Sequence, residues 1–410
     1  MCRAVLHNWL YFLALGLSIP VLARVIATIV NPDGSPDVSP ASSVLGGDVE
    51  AVDKIITFLC VGFLGALSDV VGRKPLLAYS ALGFAITCYL QAQCTSSTAI
   101  LYLADFVDGI SSCMSGVCQA YVIDASPPDR CAVNIGIFQG VSVAGAFIIG
   151  FPASAAISAK WGLRAPLYAA AGVGFLNFLI ALLLTPESLP PAQREGKKLD
   201  LASANPLGAL RLLFGRTGLM RGSCAAFFLV WFANACINSQ FSNYVNHLLG
   251  WGPQESAPLL VLVGIMLAIA PKMLVPRLGL KHSIEVGCLV YGAGLLATAF
   301  AKTAPLLVYS VLFSSIGCIA VPALITFIAN QAEPAERGAL LGGIETLQEA
   351  CLALAYVTYG RVFAHFISDD APFKLPGAPF VLASAVMAAA YALIKSTFAK
   401  FPDAAAKFFI

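Results

Sequence analysis

The chain has 410 residues, of which 59% are hydrophobic and 11% charged. Soluble domains carry about a quarter charged residues, so this composition excludes an ordinary soluble enzyme and makes lipid the main solvent. A formal net charge of +2 leaves no basic field for nucleic acid and no acidic tail.

A membrane-spanning helix needs roughly 20 mainly apolar residues. Twelve such stretches occur along the chain: 8–30, 52–69, 75–93, 99–123, 133–158, 164–185, 221–247, 256–275, 282–301, 304–329, 338–366 and 377–398. Segments of this length satisfy their own backbone hydrogen bonds as helices, so the expected fold is an all-α membrane protein. With the N-terminus in the cytosol, 17 of the 24 basic residues fall on the inner side. Lys54, Lys160, Arg164, Lys302 and Lys374 fall on the outer side, and Arg24 and Arg361 within spans. That bias places both termini in the cytosol. Residues 31–51, acidic and rich in Pro, Gly and Ser, read as a flexible outer loop. Residues 186–220 read as an inner linker with a short amphipathic helix near 206–214.

Two inner loops repeat at a fixed offset. Gly72 to Gly279, Arg130 to Arg337 and Gly136 to Gly343 are each separated by 207 residues. The shared register argues for two parallel six-helix halves, 1–185 and 221–410, joined by the linker 186–220.

The segment Gly65-Ala66-Leu67-Ser68-Asp69-Val70-Val71-Gly72-Arg73-Lys74-Pro75 resembles the major facilitator superfamily loop motif G-x-L-[AS]-D-x-x-G-R-K. Ala120-Tyr121-Val122-Ile123-Asp124 with Asp129-Arg130, and Pro186-Glu187-Ser188-Leu189-Pro190, resemble the tetracycline-efflux group. Pro322-Ala323-Leu324, Asn330-Gln331-Ala332-Glu333, Tyr359-Gly360 and Pro376-Gly377-Ala378-Pro379-Phe380 resemble the hippocampus-abundant-transcript, sugar-transporter-like branch. The resemblance implies a twelve-helix carrier and a gate: Asp69 facing the start of span 11, and Arg73 paired with Asp124. Gly72, Lys74 and Arg130 belong to the same motif loops. Two departures stand against a drug/proton antiporter. Asp105 replaces the family's Arg four residues before Gly109, and Ala155-Ala156 replace the last pair of the antiporter glycines.

Charges inside spans are costly, roughly 2.5–3.5 kcal/mol on insertion scales, and face a cavity or a partner. Asp105 and Asp108 in span 4 and Glu349 in span 11 are proton-coupling candidates, with the span-4 pair alternatively supplying a structural carboxylate to Arg24. Glu345 sits nearer the inner end, and Arg361 reads as snorkelling outward. In span 7, Asn234, Asn238 and Gln240 could bond a polar solute or act as helix glue, with Trp231 lining the path. Asn177 is a fainter candidate.

The 12 cysteines fall mostly within spans, where a thiol is a small packing residue. No CxxC pair supports a metal, and no P-loop, G-x-S-x-G or H-E-x-x-H motif supports catalysis. The expectation is a monomeric, non-enzymatic secondary or facilitative carrier without cofactor, moving a small organic solute with or without coupled protons. Two alternatives are a drug/proton efflux antiporter and a non-transporting receptor or sorting adaptor.

Overall fold

The computed structural model describes residues 2–126, 145–194, 205–332 and 337–409, together with 134, 138 and 140–142. Its regular elements are all helical among the described residues, and ten helices are long and apolar enough to cross a membrane. The chain divides into two compact units. The first comprises Met1–Asp37, Val52–Asn205 and Gly252–Gly264, and the second Val38–Ala51, Pro206–Trp251 and Ile265–Ile410.

The first unit contains α1 (Cys2–Val30), most of α2 (Pro40–Val71), α3 (Arg73–Gln93), α4 (Thr98–Ser111) and α5 (Met114–Asp124). A π-helical turn, Gly145–Gly150, leads into α6 (Phe151–Trp161), followed by α7 (Ala165–Leu183) and the single turn α8 (Pro191–Arg194). Its core joins Leu77 of α3, Met114 and Tyr121 of α5 and Phe138. A second cluster joins Leu17 of α1, Phe84 of α3 and Ala170 of α7. Polar side chains stitch these helices where apolar contact gives no drive in lipid. His7 of α1 bonds Asn177 of α7 at 2.6 Å and Thr185 at 2.7 Å. Asn177 donates back to the His7 carbonyl at 3.0 Å, so it acts here as a helix tie.

The second unit contains α9 (Pro206–Phe214), α10 (Gly218–Leu249), most of α11 (Pro253–Ala299), α12 (Ala304–Gly317), α13 (Ala320–Asn330), α14 (Arg337–Ile367), α15 (Ala378–Lys400) and α16 (Pro402–Ala406). The expected linker helix is present as α9, with Leu213 buried and Leu207 exposed. The 47-residue α11 is broken at Gly279, where φ is +73°. The chain doubles back under this unit after α15. There Phe409 meets Phe327 at 4.9 Å and Phe398 at 5.0 Å, and Asn330 donates to the Phe408 carbonyl at 3.3 Å.

The reading of 31–51 as a flexible loop is corrected. The helix α2 begins at Pro40, twelve residues before the expected span, and contains Asp48, Asp53 and Lys54. Its start carries a reciprocal serine cap: the Ser39 backbone N–H donates to Ser42 Oγ at 2.9 Å, and the Ser42 N–H to Ser39 Oγ at 3.2 Å. Proline at the first helical position needs no donor there, and the serines satisfy the exposed N–H groups. Hydropathy alone does not see such a start, because the capping and early-turn residues are polar.

Candidate functional site

The turn between α2 and α3 concentrates charge. Arg73 is the first residue of α3, and its side chain is only 9% exposed. Its Nη2 lies 2.6 Å from Asp69 Oδ1 and its Nε 3.0 Å from Asp124 Oδ2. Asp69 is i,i+4 to Arg73 across the turn, while Asp124 ends α5, so Arg73 ties the turn to the last residue of a separate helix. A further guanidinium nitrogen bonds Ser68 Oγ. Charge-assisted hydrogen bonds of this kind are the strong class.

The backbone of the turn is held by a residue that the motif reading did not single out as functional. Glu187, in the segment leaving α7, accepts from the Arg73 N–H at 2.8 Å and from the Lys74 N–H at 3.2 Å. Both carboxylate oxygens therefore cap the positive end of α3. The Leu189 N–H also donates to Glu187 at 3.1 Å, Ser188 Oγ donates to Asp124 at 3.1 Å, and Arg194 donates to the Val71 carbonyl. Gly72 has φ +114°, and a Cβ built on it would stand 2.3 Å from Glu187 Oε2. Glycine is required here twice over, by backbone conformation and by space. Arg130, and the side chains at the start of α14 that Asp69 is expected to face, lie outside the described residues.

The two carboxylates of α4 differ in burial. Asp105 is 3% exposed and accepts from Gln91 Nε2 of α3 at 3.0 Å. Arg24 of α1 brings its Nη1 to 2.6 Å from where a Cβ on Gly252 would stand. Asp108 is half-buried one turn along. The crossing of α2 and α4 is close: a Cβ on Gly109 would lie 2.9 Å from the Asp53 carbonyl. Buried Asp53 accepts from Thr57 at 3.2 Å and pairs with Lys54 at 2.6 Å. Lys54 thus lies inside the helix beside a buried carboxylate. Neither Asp53 nor Lys54 stands out in the sequence as a site residue.

In the second unit Asn234 of α10 accepts from Tyr291 Oη of α11 at 2.8 Å and from Cys318 Sγ at 3.8 Å. Its carbonyl is committed to joining helices. Tyr291→Phe leaves it with the weak thiol alone, and about 1 kcal/mol of stability is expected to go. A thermal melt in detergent that does not move would contradict this role. Gln240 is buried and accepts from Ser43 at 3.4 Å and Asn243 at 3.1 Å, whereas Asn238 is exposed. Trp231 stacks on Phe227 at 5.9 Å, its buried Nε1 without a hydrogen-bond partner among the described residues. Glu349 is half-buried on α14, one turn from exposed Glu345. Arg361, read as snorkelling, instead forms a two-pronged pair with Asp48 at 2.7 and 3.3 Å.

Residues 8–355 match the model of the Major Facilitator Superfamily. The chain is 26% identical over 331 residues to Hippocampus abundant transcript-like protein 1 of Bos taurus, covering 79% of this chain and 65% of that protein. It thus spans about two thirds of the length of that relative. It is 27% identical over 337 residues to the class C tetracycline resistance protein of Escherichia coli, covering 81% and 82%. In fold it is similar to the human organic anion transporter MFSD10 (TETRAN), with TM-score 0.71, 19% identity, and coverage of 96% and 98%. With its ten apolar helices the chain is a multi-pass integral membrane protein, and the family match over most of its length makes it a member of the Major Facilitator Superfamily.

Proposed function

We propose that the protein is a secondary or facilitative carrier that moves a small organic solute by alternating access. The single observation that carries the reading is Arg73, buried and shared between Asp69 and Asp124 at the end of α2, in a chain whose family is one of transporters. An ion pair that a conformational change can make or break, set on a rigid cap, is the form a gate takes. The twelve spans, with α11 counted as two passes about Gly279, form two parallel halves, 1–185 and 221–410. Both termini face the cytosol, and the carrier works as a monomer. One half rocks against the other around a midplane site.

Proton coupling through Asp105, Asp108 or Glu349 supplies the drive: one charge crossing gains about 2.3 kcal/mol per 100 mV. Asn238 and Trp231, whose polar groups are not committed to helix ties, suit contact with solute better than Asn234 and Gln240. Similarity to a tetracycline resistance protein favours, as a second reading, efflux of a drug in exchange for protons. An uptake and efflux screen in transport-deficient cells, with and without a proton gradient, separates the two by direction. Flux that stays equally pH-dependent in both Asp105→Asn and Asp108→Asn removes α4 from the coupling path. A chain that moves nothing, yet functions unchanged with Asp69→Asn, is a receptor or adaptor.

A further inference from the structure

Where α7 ends, five consecutive residues are each tied to another element of the first unit. The Leu184 carbonyl accepts from Arg3 of α1, and Thr185 Oγ1 lies 2.7 Å from Nε2 of His7, also of α1. The Pro186 carbonyl accepts from Tyr121 Oη of α5 at 3.0 Å, and Ser188 Oγ donates to Asp124 at 3.1 Å. Between them Glu187 accepts from the Arg73 and Lys74 N–H groups. Residues 185–187 belong to no helix, so these ties rather than a backbone ladder set where the segment runs.

His7 has the pivotal place. It is fully buried, as Asn177 and Thr185 nearly are, with exposures of 0%, 1% and 2%. The Asn177 amide donates to the His7 carbonyl at 3.0 Å, which turns Asn177 Oδ1 toward the ring, 2.6 Å from Nδ1. Nδ1 therefore carries a hydrogen, and the ring is oriented from within α7. Its other nitrogen meets Thr185, two residues past the end of that helix. The imidazole is thus a rigid spacer between the body of α7 and the chain that leaves it. Glu187 follows two residues later, at most about 7 Å of extended chain. Hydrogen bonds hold only over a few tenths of an ångström, so there is little slack between the ring and the cap.

We propose that His7 is a positioning residue of the gate. By fixing Thr185 it aims Glu187 at the N-terminus of α3, and so joins α1 to the turn that carries Arg73. The proposal rests on the gate reading above.

The test is hydrogen exchange of the full-length protein in lipid nanodiscs, resolved to the Arg73 and Lys74 amides by mass spectrometry with electron-transfer fragmentation. Exchange at these two positions reports opening of the cap. His7→Asn, whose amide ends at the level of the ring Nδ1, keeps a donor for Asn177 but falls short of Thr185. It is expected to raise exchange about fivefold, equivalent to about 1 kcal/mol, one ordinary hydrogen bond. His7→Gln, which places a nitrogen at the level of Nε2, is expected to return most of the protection. In a Glu187→Ala background, which has no cap to aim, adding His7→Asn changes the two amides no further. Amides of α3 between residues 80 and 90 serve as the reference for general loosening.

Unchanged exchange at Arg73 and Lys74 in His7→Asn overturns the proposal. A rise shared equally by the reference amides also does so, because it assigns His7 to helix packing alone. A His7→Gln variant no better protected than His7→Asn removes the link through Thr185, and a further rise in the Glu187→Ala background shows that the ring acts by another route; either result overturns the proposal. The readout needs no solute. A chain that moves nothing in the uptake and efflux screen loses the carrier reading while the exchange result stands, and unaltered exchange in a working carrier defeats only the role of His7.

Discussion

Arg73→Gln is expected to lower solute flux at least about tenfold while the protein still reaches the membrane. The substitution removes a buried guanidinium from two carboxylates and a serine hydroxyl. Hydrogen bonds to charged groups are worth about 1.5–3 kcal/mol each, and tenfold in rate corresponds to about 1.4 kcal/mol. Losing one of them accounts for the whole effect. The two partners are not equal. Asp69 is 49% exposed and Asp124 18%, so water compensates the first loss better than the second. Asp124→Asn is therefore expected to hurt more than Asp69→Asn if pairing with Arg73 is all that matters. The reverse order would mean that Asp69 has a further partner at the start of α14. A double-mutant cycle of Arg73→Gln with Asp124→Asn should be strongly sub-additive, and additive losses would sink the gate assignment.

Gly72→Ala is expected to be the most damaging conservative change in the same turn. An L-residue in the left-handed region costs roughly 1–2 kcal/mol, and the new methyl would displace Glu187 from the N-terminus of α3. Together these give a loss of about 3 kcal/mol, measurable as a lowered melting temperature in detergent. Glu187→Ala should remove part of the penalty, because the clash then disappears and only the backbone strain remains. An unchanged melt for Gly72→Ala would show that the turn relaxes freely, and the cap would have no positioning role.

The fold class was legible because lipid imposes a blunt rule: long apolar runs must be helices. The Arg73–Asp124 pair was legible through the loop motif that Gly65–Pro75 resembles, with Gly72 and Arg73 at positions dictated by one backbone angle and one planar cation. What escaped the reading has a common cause. Asp48 is a charge on a helix that runs past its apolar segment, Asp53 and Lys54 sit at that segment's edge, and a scan for apolar length ends where the polar turns begin. The signal was present in Ser39-Pro40 followed by Ser42, a capping pattern rather than a hydropathy pattern. Glu187 stands in a sequence motif without announcing a role, since its task is to meet backbone N–H groups more than a hundred residues away in sequence. Asn234 and Arg24 show the opposite limit. A polar residue in a span announces that it needs a partner, but the sequence does not say whether that partner is Tyr291, Gly252 or a solute.

The continuity of α2 has a mechanical consequence. Asp48 and Asp69 sit on one unbroken helix, about 31 Å apart at 1.5 Å per residue. If such a rod tilts by about 10°, its ends shift relative to each other by about 5 Å, more than either ion pair can stretch. Each pair can therefore be read by itself, the Asp69 end within the first unit and the Asp48 end within the second.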